Sequence, residues 1–396
     1  MLRFYTNSMT DSYHYKEIQS QTIDYLRFVL IIAVVFMHTS MPKVDFSQSS
    51  YWLQINGPSI FSKLYMLFSG VMARVAVPAF YIISGYLFFL KTPQLTLKII
   101  KQKEQKRFHT LVIPYIFWNL IIVLTFCALQ ILKLRYSYYN LKSIIDSCYT
   151  YMEENGWLNI FWNWKSWDIG KTWLGTSTTM TSPINFPLWY LRDLIVISAL
   201  SPLLYWLIKH LKKKWIYLTF LIWFTGVWTA IPGISSTSLF FFSFGAYMAI
   251  NKENILQIIR KVEKLSYLLA PVFLITSTYY SAQQTTPGYF SLHLYIIFGI
   301  IAIFNITSRL IENKSIKVHR TLTSSVFFIY ACHTTLLISK YDNVVSKLWN
   351  LTNDMPILAP FIYLSTPFCK TFLCVLLYML LKKILPKFTK VITGNR

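Results

Sequence analysis

The sequence predicts an all-α polytopic membrane protein of about ten transmembrane helices, with the N- and C-termini cytoplasmic. Three observations carry that reading. Of 396 residues, 55% are hydrophobic and only 13% are charged, about half the charged share of a soluble domain. The apolar residues fall in runs close to the roughly 20 that a bilayer demands. The formal net charge is +23, and its basic residues concentrate in alternate loops. Such a surplus can mark a nucleic-acid partner, but those chains are rich in charge, and this one is rich in Phe, Tyr, Trp, Leu and Ile. The lipid bilayer is the expected partner, and nucleic acid is not. An ordinary soluble enzyme, a disordered chain and a disulfide scaffold are excluded on the same grounds. The cysteines are Cys127, Cys148, Cys332, Cys369 and Cys374. Four lie in apolar stretches and Cys148 lies in a loop, with no CxxC spacing, so neither disulfide nor metal is expected.

Ten apolar segments follow in order, at roughly 23–41, 70–90, 109–132, 187–208, 215–231, 235–250, 265–281, 291–308, 321–339 and 362–382. The first contains Asp24 and Arg27 and lacks a small-residue cleavage site, so it stays in the mature protein. The fifth and sixth are short and are separated only by Ile231-Pro232-Gly233-Ile234, the signature of a tight helical hairpin. The tenth carries Lys370. Residues 1–396 thus read as a single ten-helix domain with one long outer loop, 133–186, and no appended soluble domain.

The loops test the count. With the N-terminus inside, the inner loops 91–108, 209–214, 251–264 and 309–320 and the tail 382–396 hold 23 Lys and Arg against four acids. The outer loops hold nine against seven. This asymmetry follows the positive-inside rule at each alternation. The long loop carries Trp157, Trp162, Trp164, Trp167 and Trp173, with Glu153, Glu154 and Asp168 among them. Either an aromatic belt on the membrane surface or a set of sugar-stacking faces accounts for them.

Ionisable groups inside a membrane are costly and mark function by default. Placed by depth, His38, Arg74, Arg192, Asp193, His293 and His333 gather toward the outer ends of five helices, as the wall of a polar chamber would. Arg27 and His38 belong together for a second reason. Eleven residues at about 100° each end only about 20° past three turns, so both side chains share one helix face, about 16 Å apart along the axis. They cannot touch, but they can bracket one long ligand. A pantetheine arm with its phosphates has that length.

Five short motifs then resemble, in order, those of the acyltransferase-3 family of membrane proteins. Arg27 and His38 match its Arg-x10-His first span. Arg74-Val-Ala-Val-Pro78 through Ser84-Gly85-Tyr86-Leu87 is similar to its second span. Lys106-Arg107 before Leu111-Val-Ile-Pro114-Tyr115 resembles its basic loop, although members often carry more Arg there. Pro187-Leu-Trp189-Tyr190-Leu191 and Tyr330-Ala-Cys-His333 resemble its later patterns. The resemblance spans nearly the whole chain. It implies a ten-helix bacterial inner-membrane core that moves an acyl group, by default acetyl, from acyl-CoA to a hydroxyl of a cell-envelope carbohydrate.

That chemistry needs a base, charge stabilisation for an oxyanion, and exclusion of water. His38 is the candidate base. Arg74, Arg192 or His333 would stabilise the oxyanion, and Asp193 would orient a histidine or simply pair with an arginine. Arg27 and Arg107 would hold CoA phosphates, with Ser84 and Gly85 at the cofactor or in helix packing, and Trp189, Tyr190 and Arg192 at the acceptor. Two other readings stay open: an exporter or flippase of a glycan or lipid-linked glycan, and a lipid-linked-sugar glycosyltransferase. Asp45 is the lone acid in the first outer loop, which counts against the last.

Overall fold

The computed structural model describes residues 2–39, 59–90, 94–135, 156–163, 167–171, 177–228, 231–281, 286–351 and 357–395, with short pieces at 41, 44–45, 54–55, 92, 146, 149–150 and 153. Cys148, Glu154, Trp164 and Trp173 lie outside the described residues.

The chain is helical, and each of the ten apolar segments forms a helix or part of one. The first, α1 (Leu2–Met37), runs for 36 residues. The second begins earlier than expected, as α2 (Ser59–Tyr65), and passes through a π turn (Met66–Val71) and a 3₁₀ turn (Met72–Val75) into α3 (Ala76–Phe89). The early start has a packing cause, since Phe61 and Tyr65 are fully buried against Trp349 and Tyr363. A basic helix, α4 (Leu97–Arg107), leads into α5 (Ile113–Arg135).

The fourth segment differs from expectation. It is two helices, α6 (Trp189–Ala199) and α7 (Ser201–Leu211), bent by 65°. Pro202 sits in the first turn of α7, where a missing amide hydrogen and fixed φ favour a new helix start over continuation of the old one. Then come α8 (Lys213–Thr225), α9 (Ser236–Ile250), α10 (Ile255–Arg260), α11 (Glu263–Ser281) and α12 (Thr286–Glu312). The ninth segment is also divided, into α13 (Arg320–Cys332) and α14 (Leu336–Leu351). The chain closes with α15 (Leu358–Ile384) and α16 (Pro386–Ile392).

Among the described residues, five helices are long and apolar enough to cross a membrane, and the bent α6–α7 pair makes a sixth. Their surfaces suit lipid rather than water. Leu124, Ile275 and Phe361 are 61%, 67% and 70% exposed, and apolar exposure on this scale marks a membrane face. The protein is a multi-pass membrane protein. Two antiparallel ribbons, Val44–Asp45 with Gln54–Ile55 and Trp167–Lys171 with Ser177–Met180, decorate the loops.

Helix α1 lies at the centre, against α3, α12, α13 and α15. The closest crossing is α3 on α9. A Cβ on Gly85 would lie 2.1 Å from the Phe242 carbonyl oxygen, and one on Gly245 would lie 2.1 Å from that of Ile82. Reciprocal glycines let the two backbones touch, as small residues do between helices in lipid.

Candidate active site

A cavity of about 260 Å³ opens between α1, α3, α6 and α13. Helix α1 lines it with Arg27, Ile31, Val34 and His38. Those spacings of four, three and four keep the side chains on one helical face, so the expected stripe exists and one cavity runs along it. Ser84 of α3, Trp189 and Tyr190 of α6, Tyr330 of α13 and Arg107 from the end of α4 join the wall. The Ser84 and Tyr190 hydroxyls are 3.2 Å apart. Arg27 also lies 3.7 Å from Asp24. The site is therefore a mainly apolar slot with arginines and hydroxyls along it and one histidine.

That histidine has a partner. His38 is the residue after the end of α1, and His333 is the residue after the end of α13. Each ring reaches back to carbonyls of its own last helical turn. His333 Nδ1 lies 3.1 Å from the Ile329 oxygen and 2.9 Å from that of Tyr330. Carbonyls only accept, so this nitrogen carries the hydrogen. In the neutral ring Nε2 then has the lone pair, and it lies 3.2 Å from His38 Nδ1. His38 Nδ1 must donate, either there or to the Val34 oxygen at 3.1 Å. His38 Nε2 is left with a lone pair. Two neutral imidazoles so arranged would present a lone pair at His38 Nε2, with the second ring against its other nitrogen.

The six outer-end ionisable groups divide. Arg74 donates from Nε to the Gly70 oxygen at 3.1 Å, within the irregular π turn, and is near enough to His38 to act on its charge. Arg192 and Asp193 instead pair with each other at 3.2 Å, both buried. Arg192 also donates to the Thr181 oxygen and lies over the Trp162 ring, so that tryptophan covers an arginine. His293 stands among Trp223, Phe224 and Tyr289. Arg74, Arg192, Asp193 and Gly85 do not line the cavity; Gly85 serves the α3–α9 crossing.

Sequence reasoning passed over Lys370 as a site residue. It is 2% exposed, pairs with Asp342 at 2.5 Å, and acts electrostatically on both histidines. A lone lysine in an apolar span was the available signal. It also missed Lys103, which donates to the Phe88 carbonyl and, like Arg107, lies over the Phe88 ring. Among the described residues, no cluster of three His, Cys, Asp or Glu side chains could hold a metal.

A family model described as an acyltransferase domain matches residues 20–379, which takes in the cavity and both histidines. The chain belongs to this acyltransferase family. It is thus an enzyme that transfers acyl groups other than aminoacyl groups. The acyltransferase is also similar to the succinoglycan biosynthesis protein ExoH of Rhizobium meliloti (strain 1021), at 24% identity over 392 residues covering 95% of this chain and 92% of that one. No solved structure matches it.

Proposed function

We propose that the protein transfers an acyl group, acetyl by family default, from acyl-CoA to a hydroxyl of a cell-envelope polysaccharide, with His38 as general base. One observation carries the reading: the stripe from Arg27 to His38 lines a single cavity that also holds Arg107. Arg27, Arg107 and Lys103 would take the phosphates, since guanidinium and ammonium groups suit them. Ser84 and Tyr190 would bond the amides of the pantetheine arm, which would bring its thioester to His38. The naming of a relative for succinoglycan biosynthesis supports a polysaccharide acceptor.

The steps balance within this set of groups. His38 Nε2 takes the acceptor hydroxyl proton as that oxygen attacks the thioester carbon. The tetrahedral oxyanion forms at the His38 end of the cavity, within the field of Arg74, which does not itself line the cavity. It collapses with loss of the CoA thiolate, which takes the proton back from His38. His333 holds Nδ1–H throughout and stabilises the imidazolium formed between the two proton transfers. Ten membrane crossings with cytoplasmic termini, in a bacterial inner membrane, belong to the same reading. They rest on the charge asymmetry of the loops, and they place the Arg27 end at the cytoplasmic supply of acyl-CoA.

The test is mass spectrometry of envelope glycans from cells lacking the protein, rescued with wild type or His38→Ala at matched membrane levels. Wild type restores an acyl mass increment and His38→Ala does not. Surface glycan lost without the protein and restored equally by both versions would instead support an exporter.

A further inference from the structure

Phe36 lies in the last turn of α1, two residues before His38. The last carbonyls of a helix have no amide of that helix to accept from, and in lipid the donor must come from the protein itself. Side chains supply it here. His38 Nδ1 lies 3.1 Å from the Val34 oxygen, and Thr39 donates to the Val35 oxygen at 2.7 Å. The Phe36 oxygen is served from another element. Ser69 Oγ donates to it at 2.7 Å, beside a longer bond of 3.3 Å from the Thr39 amide.

Ser69 belongs to the π turn Met66–Val71 and is buried. Its one hydrogen goes to Phe36, so the Tyr363 hydroxyl of α15, 2.7 Å away, donates to Ser69. The Phe36 ring is held by the same two neighbours, with Phe68 of the π turn stacked on it and Tyr363 edge-on. One residue along, the Gly70 oxygen of this turn accepts from Arg74 Nε. Single π turns of this kind occur frequently at functional sites. This one ties the end of the base-bearing helix to the segment that carries the Arg74 charge.

We propose that Ser69 is a positioning residue for the base: through the Phe36 carbonyl it fixes the end of α1, and so holds His38 in register with the cavity and with Arg74. The proposal rests on the acyl-transfer reading above. Proton abstraction needs the base within hydrogen-bond reach of the acceptor hydroxyl, and a misplacement of about 1 Å can cost about 100-fold in rate. Neither Ser69 nor Phe36 lines the cavity, so the effect falls on the placement of the base and not on binding of the donor.

The test uses the full chain in membranes, labelled acetyl-CoA, and envelope polysaccharide isolated from cells lacking the protein. Rates are taken per amount of folded protein, well below the lowest melting temperature in the set. Ser69→Ala is expected to lower kcat for glycan labelling about 10- to 100-fold. The KM for acetyl-CoA stays within about twofold, a few tenths of a kcal/mol. Tyr363→Phe is the comparison that separates placement from stability. It too removes a buried hydroxyl and lowers the melting temperature, but it leaves the Ser69–Phe36 bond in place, so kcat stays within about threefold. A Ser69→Ala rate within about threefold of wild type overturns the proposal. So does a Tyr363→Phe loss as large as that of Ser69→Ala, because the rate would then follow stability, and so does a rise in acetyl-CoA KM that matches the fall in kcat. A Ser69→Ala protein that cannot be recovered folded makes Ser69 structural and overturns it as well. All of these leave acyl transfer standing. A wild type that labels no glycan overturns both.

Discussion

The sharpest consequence of the paired histidines concerns His333→Ala. His38 Nδ1–H has two acceptors, His333 Nε2 at 3.2 Å and the Val34 carbonyl at 3.1 Å. Where a catalytic histidine loses its sole orienting partner and takes the wrong tautomer, the rate falls about 10⁴-fold. Here the Val34 carbonyl remains and preserves the tautomer. What is lost is one hydrogen bond to a ring that becomes charged during turnover, worth about 1.5–3 kcal/mol. That predicts a fall in kcat of about 10- to 150-fold. With His38 as the proposed base, His38→Ala should cost about 10²–10⁴-fold. The KM for acyl-CoA should hold, because His333 does not line the cavity. His333→Gln keeps an acceptor for His38 and a donor for the α13 carbonyls, so it should recover most of the rate. Initial rates of acyl transfer in membranes at matched expression measure all three. A loss in His333→Ala as large as that in His38→Ala, or a Gln variant no better than Ala, would show that the Val34 carbonyl does not hold the His38 tautomer.

Other outcomes follow from the packing. Gly85→Ala sets a Cβ 2.1 Å from the Phe242 backbone oxygen, which a flexible side chain cannot relieve, so α3 and α9 must separate. Overpacking of this kind costs about 1–3 kcal/mol or more, read as a lower melting temperature in detergent, with Gly245→Ala behaving alike. Lys370→Met leaves Asp342 without its buried partner and should cost about 3–5 kcal/mol, whereas Lys370→Met with Asp342→Leu should recover much of that; thermal unfolding of the single and double variants decides it. Glu263, just before the seventh apolar segment, is held below the usual carboxylate range mainly by its hydrogen bonds from Arg309. A depressed folded-state value contributes stability above the unfolded value that is lost as pH falls through the folded one. Melting temperature should therefore drop on acidification below about pH 4.3, and Glu263→Gln should flatten that part of the curve.

Much of this protein was legible from residue order alone. Each apolar run is helical because a chain in lipid must satisfy its backbone internally, and hydropathy reads that requirement directly. The Arg27–His38 stripe was equally legible, since a single helix has a fixed period and the α1 face could be computed before any neighbour was known. Five motifs in order pointed to the family that the chain proves to belong to. What depth along each span could not give was azimuth. His38, Arg192 and His293 were placed at similar depth, yet Arg192 turns to Asp193 and Trp162 while His293 turns to an aromatic group. The His38–His333 contact joins residues 295 apart in sequence. Nothing local encodes it. It exists because α1 and α13 both end at the same level, each with a histidine folded back on its own last carbonyls. The Pro202 bend, the Lys370–Asp342 pair and the Ser69–Phe36 bond are likewise decided by helix packing. Sequence determined which elements form and which chemistry they carry; only the tertiary structure decided which faces meet, because that depends on shape complementarity summed over many distant side chains.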